Sequence, residues 1–123
     1  MTGKRPTVDR QRADRKGREA EAQAAQYLMQ NGFEVLAGRV KTKLGEIDLI
    51  ARKKGLVAFT EVKWRRRASD LDTAIDEGRL ARVAAAVEMV AHEYAQPDDD
   101  IRIDVILLAP GNRPRHIENA WMP

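Results

Sequence analysis

The sequence predicts an α/β fold in which a mixed β-sheet is flanked by helices, in the order helix, three strands, helix, then one or two strands. Three observations predict it. Two segments repeat apolar residues at helical spacing, and the shorter segments between and after them alternate or run apolar as strands do. Hydrophobic residues make up 43% of the 123 residues, enough for one compact core. No internal repeat or interdomain linker divides the chain, so the elements belong to one domain. Helices and strands interleaved in this way pack as layers around a sheet.

Taken in order, residues 1–12 read as a disordered basic arm, with Lys4, Arg5, Arg10 and Pro6 and no apolar pattern, and the folded domain is expected over residues 13–123. A helix is expected from about Asp14. Gly17, Ala20, Ala24 and Leu28, with Ala25 and Tyr27, form its apolar stripe, and Asn31-Gly32 ends it. Phe33 to Ala37 reads as the first strand and Lys41 to Gly45 as a turn. Glu46 to Arg52 sets carboxylates against Ile47 and Leu49 with the period of a strand. Lys54-Gly55 is a turn, and Leu56 to Lys63 is the next strand. A loop follows Trp64 and Arg65 to Arg67. The second helix runs from roughly Asp76 to Ala95, with Leu80, Val83, Val87, Val90 and Tyr94 spaced 3-4-3-4 as its core face. Ile101 to Leu108 is a buried strand, and His116 to Asn119 forms at most a short last one.

Composition narrows the chemistry. No apolar run approaches the roughly 18 residues of a spanning helix. The polar, basic N-terminus lacks the apolar core of a secretory signal, so a cytoplasmic location and no membrane partner are expected. Cysteine is absent, which removes disulfides, thiol nucleophiles and cysteine-ligated zinc. Two histidines, His92 and His116, cannot make a three-histidine centre, and both read as surface or boundary residues. Any metal must therefore sit on carboxylates, which favours a hard ion, Mg²⁺ or Mn²⁺. The net charge of +3 hides an asymmetry: residues 1–67 hold 17 Lys/Arg against 8 Asp/Glu, a balance of +9, and residues 68–123 hold 5 against 11, a balance of −6. A basic half points to a polyanion partner, most commonly nucleic acid. A solvated surface of uneven charge is the plainer reading of the same numbers.

The chemistry concentrates on one hairpin. If the strands around Lys54-Gly55 pair antiparallel about an even loop, opposed residue numbers sum to about 109. Asp48 then faces Glu61, and Glu46 faces Lys63, so that all four share one face; a slip of one residue would scatter them. Carboxylates at that range repel, and a divalent cation removes the conflict. A surface salt-bridge ladder is the structural alternative. Against it, Asp48 is embedded among Ile47, Leu49 and Ile50, and Glu61 stands between Phe59-Thr60 and Val62. In the first helix Glu21 lies on the apolar stripe and points toward the sheet or its edge, unlike Glu19 on the polar face. The set suits phosphodiester hydrolysis. Asp48 and Glu61 would hold the metal, with the backbone carbonyl of Val62 as a further ligand. Lys63 would orient or deprotonate the water or stabilise developing charge. Glu46 and Glu21 would support the site.

The stretch GEIDLIARKKGLVAFTEVK, Gly45 to Lys63, resembles the PD-(D/E)xK nuclease motif, with Asp48 as the first acid and Glu61-Val62-Lys63 as the ExK. More narrowly, the chain resembles the YraN family of small bacterial proteins through GREAEAQAAQYL (Gly17 to Leu28), GEIDLI (Gly45 to Ile50), FTEVKWRRR (Phe59 to Arg67) and, more weakly, IRIDVILL (Ile101 to Leu108). That resemblance implies a restriction-endonuclease-like domain with an α-β-β-β-α-β core. It also implies an endonuclease-like activity on DNA, branched or single-stranded, and, by kinship with archaeal Holliday-junction resolvases, a homodimer. By position it puts Asp48, Glu61 and Lys63 on the superfamily's catalytic places and Glu21 on the family's helix-one acid. Two departures stand out. Ile47 replaces the proline that usually precedes the first acid, and Arg79 stands where the family often has a lysine, keeping a phosphate contact but no base.

Arg65, Arg66 and Arg67 are expected to grip phosphates, while Trp64 is either a base-stacking platform or, the favoured reading, core packing. Asp104, inside an apolar strand, is expected in a buried pairing role. Two other functions fit the same sequence: a non-catalytic nucleic-acid-binding module of nuclease-like fold, and an adaptor whose acidic second half binds a protein.

Overall fold

The computed structural model describes residues 8–121. Helix α1 (Val8–Gln30) is followed by strands β1 (Glu34–Lys41), β2 (Glu46–Lys53) and β3 (Leu56–Trp64). A 3₁₀ helix (Ala68–Thr73) leads to α2 (Glu77–Tyr94), and strands β4 (Asp100–Leu108) and β5 (Arg115–Ile117) complete the chain. The five strands lie side by side in sequence order. β1, β2 and β3 form an antiparallel meander, β4 runs parallel to β3, and β5 returns antiparallel to β4. The parallel step requires a crossover, and α2 supplies it.

The two helices cover opposite faces of the sheet. Leu80, Val83, Ala86, Val87 and Val90 of α2 pack on Val57 and Phe59 of β3 and on Ile103, Val105 and Leu107 of β4. Ala20, Ala24 and Leu28 of α1 pack on Ala58, Ile106 and Leu108, the residues of alternate parity. A strand covered on both faces must be apolar on both, which is why β3 and β4 read as continuous hydrophobic runs. The Asp76 side chain accepts from the amides of Gly78 and Arg79 and so caps α2 where the sequence starts it. Gly32, at φ 87°, closes α1 in the left-handed conformation that its capping position requires.

Several boundaries differ from expectation. α1 begins at Val8, so residues 8–12 are helical rather than part of a disordered arm; residues 1–7 lie outside the described residues. Residues 8–12 read as an arm because a solvated helical turn carries no apolar signal. β1 runs on to Lys41, pairing with β2 as far as Lys41 and Glu46. The loop after Arg67 contains the 3₁₀ helix, anchored by buried Leu71. β5 is Arg115–Ile117, one residue earlier than the expected start and two residues short of Asn119.

Asp104 plays the expected pairing role. Fully buried, it accepts two bonds from Arg102 (3.0 and 2.8 Å), one from the Asn119 amide (2.9 Å), and lies 2.7 Å from His116 Nε2. These partners hold its carboxyl below the usual carboxylate range despite the opposing cost of burial. His116 is therefore no surface residue: its side chain is 8% exposed and stands edge-on to Tyr27 of α1. The network staples β5 and the residues after it to the sheet. His92 is exposed, as expected.

Candidate active site

The β2–β3 hairpin has the expected register. Leu49 pairs with Thr60, Ile50 with Phe59 and Ala51 with Ala58, so the numbers sum to 109. The paired residues end at Leu49 and Thr60. Beyond them a side chain takes the place of the ladder: Asp48 Oδ2 accepts from the Val62 amide at 2.8 Å. Side-chain alternation also lapses here. Ile47 and Ile50, three residues apart, both pack on the α2 side, while Leu49 packs on the α1 side. The hairpin thus opens at one end, and the acidic residues occupy the opening.

Glu21 of α1 and Glu46 and Asp48 of β2 converge there, each offering a carboxylate oxygen within 4.8 Å of the others. Glu21 thus points to the sheet edge, as its place on the apolar stripe predicts. Asp48 is 6% exposed. Burial, and then the neighbouring Glu61 carboxylate, push it up to about 7, and the Val62 amide offsets only part of the rise. A group so placed favours either a proton or a cation.

Glu61, only 2% exposed, adjoins this trio and is held differently. Its Oε1 is 3.6 Å from Lys63 Nζ and its Oε2 is 3.3 Å from Arg79 Nε. Lys63 therefore pairs with Glu61, its neighbour two along on β3, rather than with Glu46 across the hairpin. Arg79 reaches the site from the first turn of α2 and holds a carboxylate there. Val62 adjoins the site through its amide, the donor to Asp48. Arg66 and Arg67 are exposed past the end of β3; Arg65 is half-buried and donates to the Trp64 carbonyl at 2.8 Å. Trp64 itself is half-buried against the α1-side core, in line with packing.

Two residues escaped the sequence reading. Arg39 Nε donates to Glu21 Oε1 at 2.6 Å and fixes that carboxylate's direction. It does so from a left-handed backbone position, φ 51°, within β1. Such a conformation costs an arginine on the order of 1 kcal/mol and signals a constraint imposed by its surroundings. Nothing in the sequence pattern marks it. Gly45, by contrast, was in view as the first letter of GEIDLI without a physical role. A Cβ there would stand 2.9 Å from the carbonyl oxygen of Arg82, so glycine alone lets the residues entering β2 lie against the backbone of α2.

The donor set fits a hard divalent ion: it is all oxygen, net negative, and one member is destabilised as a bare anion. Fold and site together define a small α/β protein of restriction-endonuclease-like architecture, with an acidic cluster at the split end of its central hairpin. The chain matches the profile of "Uncharacterised protein family UPF0102" over residues 20–108. A UPF0102 protein of Erythrobacter litoralis is 61% identical over 116 residues, covering 94% of this chain and all of that one. One from Sphingopyxis alaskensis is 54% identical with the same coverage, and one from Rhizorhabdus wittichii is 49% identical over 109 residues, 89% of this chain and 92% of that one. The chain belongs to the UPF0102 family, which is the YraN family. Among the described residues no helix is long and apolar enough to cross a membrane.

Proposed function

We propose that this protein is a metal-dependent nuclease that hydrolyses DNA phosphodiester bonds. One observation carries the reading: three carboxylates from two elements converge at the open end of a hairpin whose other strand presents Glu61 and Lys63. A fold gains nothing from assembling like charges in this way, because each pair costs stability. Asp48, Glu46 and Glu21 would hold Mg²⁺ or Mn²⁺, with Glu61 beside them. Held there, such an ion would supply Lewis-acid chemistry toward a phosphate and would make a water more acidic. Lys63 keeps a positive charge next to Glu61, where it orients the water or stabilises charge developing on the phosphate. Arg79 secures the other oxygen of Glu61, so the carboxylate is fixed in direction before substrate arrives. Arg39 does the same for Glu21. Arg65, Arg66 and Arg67 supply phosphate contacts beside the reacting centre.

A cleavage panel tests the reading. Supercoiled, single-stranded, flap and four-way-junction DNA are incubated at low salt with Mg²⁺ or Mn²⁺, with wild type beside Asp48→Ala and Lys63→Ala prepared identically. The expected result is metal-dependent cleavage by wild type that both substitutions abolish. Binding without cleavage on every substrate would instead support a non-catalytic nucleic-acid-binding module.

A further inference from the structure

We propose that the cleft between the first half of α1 and the end of β3 is a track for one nucleic-acid strand, leading it into the acidic cluster. The proposal rests on the nuclease reading for its destination and on the cleft's own chemistry for its ligand. The cleft encloses about 450 Å³. Arg12 and Lys16 line it from α1, and Lys63, Trp64 and Arg65 line it from β3 and its continuation. Ala13 and Gly17 form its helical wall, and their small size keeps it open.

The direction of the cleft follows from helix geometry. Residues four apart lie one above another, so Ala13, Gly17 and Glu21 form one row along α1. The row passes from the cleft into the cluster, since Glu21 is one of the three convergent acids. From Ala13 to Glu21 the axis advances about 12 Å. The other wall follows the same course, because Trp64 and Val62 share the α1-side face of β3 and the Val62 amide donates to Asp48 Oδ2 at 2.8 Å. Both walls therefore end at the acidic cluster, one at Glu21 and the other at Asp48. A polyanion is attracted at one end and meets the metal-binding carboxylates at the other.

The lining selects a single strand over a duplex. Trp64 presents an indole between cations, with Lys16 Nζ 4.9 Å from its ring centroid. A flat apolar surface flanked by positive charge suits an unstacked base joined to its phosphates. A duplex keeps its bases stacked inside and has no use for the ring. Lys16 stands over the indole and 3.7 Å from Glu19 Oε2, and a base that takes its place on the ring turns its ammonium to a phosphate.

Binding measured in EDTA separates the track from catalysis. A labelled twelve-residue oligothymidylate is titrated by fluorescence anisotropy over a range of salt. The proteins are wild type, the double variant Arg12→Ala/Arg65→Ala, Trp64→Leu, and Lys54→Asn at the opposite end of β3 as a charge control. The double variant is expected to bind at least about tenfold more weakly at low salt, with the slope of log K against log salt reduced by about 1.4 for two lost contacts to a single strand. Trp64→Leu is expected to lose about tenfold with no change of slope. Lys54→Asn, which suits the left-handed φ of 40° at that turn, should match wild type. An unchanged slope in the double variant, equal weakening by Lys54→Asn, tighter binding of duplex than of single strand, or equally tight binding of polyglutamate would each overturn the track. If the slope falls but no DNA is cut, the track stands and the nuclease reading fails. If the double variant binds and cleaves as wild type does, the reverse holds.

Discussion

Asp48 and Asp104 are both buried in the same sheet, and their surroundings are opposite. Asp104 has an arginine fork, a histidine and a backbone amide around it, and its carboxyl is held below the ordinary range. Asp48 has one amide and three neighbouring carboxylates, and it is pushed up to about 7. The fold satisfies the first charge from within and leaves the second to be satisfied from outside. Burial alone does not mark a functional acid; burial without compensation does.

The sharpest way to break this comparison is through activity. Asp48→Ala is expected to lower cleavage at least about a thousandfold, while Asp104→Asn leaves the rate of the folded fraction near wild type; rates normalised to folded protein check both. Stability should show the reverse order. Asp104→Ala removes two bonds from Arg102, which keeps Glu118 at 3.4 Å, and takes away the partner of His116 and of the Asn119 amide, at an expected cost of about 3 kcal/mol in urea unfolding. Metal-free Asp48→Asn is expected to gain on the order of 1 kcal/mol at pH 8.

The pH dependence sharpens the contrast, because the two shifts have opposite signs. A lowered folded pKa gives Asp104 a contribution that is present above the normal carboxylate value near 4 and is lost as pH falls through the lower folded value. A raised folded pKa gives Asp48 a contribution that is full below about 4 and lost as pH rises to about 7. The gain from Asp48→Asn should therefore fade between pH 7 and pH 4 and be absent at pH 4. A smaller effect comes from ligand linkage. A concentration of Mn²⁺ ten times its Kd should stabilise wild type by about 1.4 kcal/mol and leave Asp48→Asn unmoved, as followed by thermal melts.

How much of this was legible depended on whether a feature left a periodic trace. The hairpin register from the turn to Leu49 and Thr60 followed from Lys54-Gly55, but the expected facing of Asp48 with Glu61 and of Glu46 with Lys63 lies beyond the last pair, and Lys63 turns to Glu61 instead. Glu21 was placed by helical parity. What pairing arithmetic could not show is that the ladder stops at Leu49 and Thr60, because a side chain replacing a backbone bond has no period. The partnerships of Glu61 with Arg79 and of Glu21 with Arg39 join segments 18 residues apart, and many arginines competed for each role. His116 read as a boundary residue because its burial depends on Tyr27, 89 positions away. Gly45 was visible, but its reason lies in the backbone of a helix that follows it by more than thirty residues.

The unbroken strand order also bears on how the chain reaches this state. β1, β2 and β3 are neighbours both in space and in sequence, so their contacts close short loops and can form early. β4 must wait for the crossover through α2. The carboxylates of β2 and β3 are thus gathered in the most local part of the topology, before the helices cover them. Their mutual repulsion should then weigh on the rate of folding more than on the rate of unfolding. Refolding of wild type should speed up when divalent metal is added, with the unfolding limb of the chevron changing less.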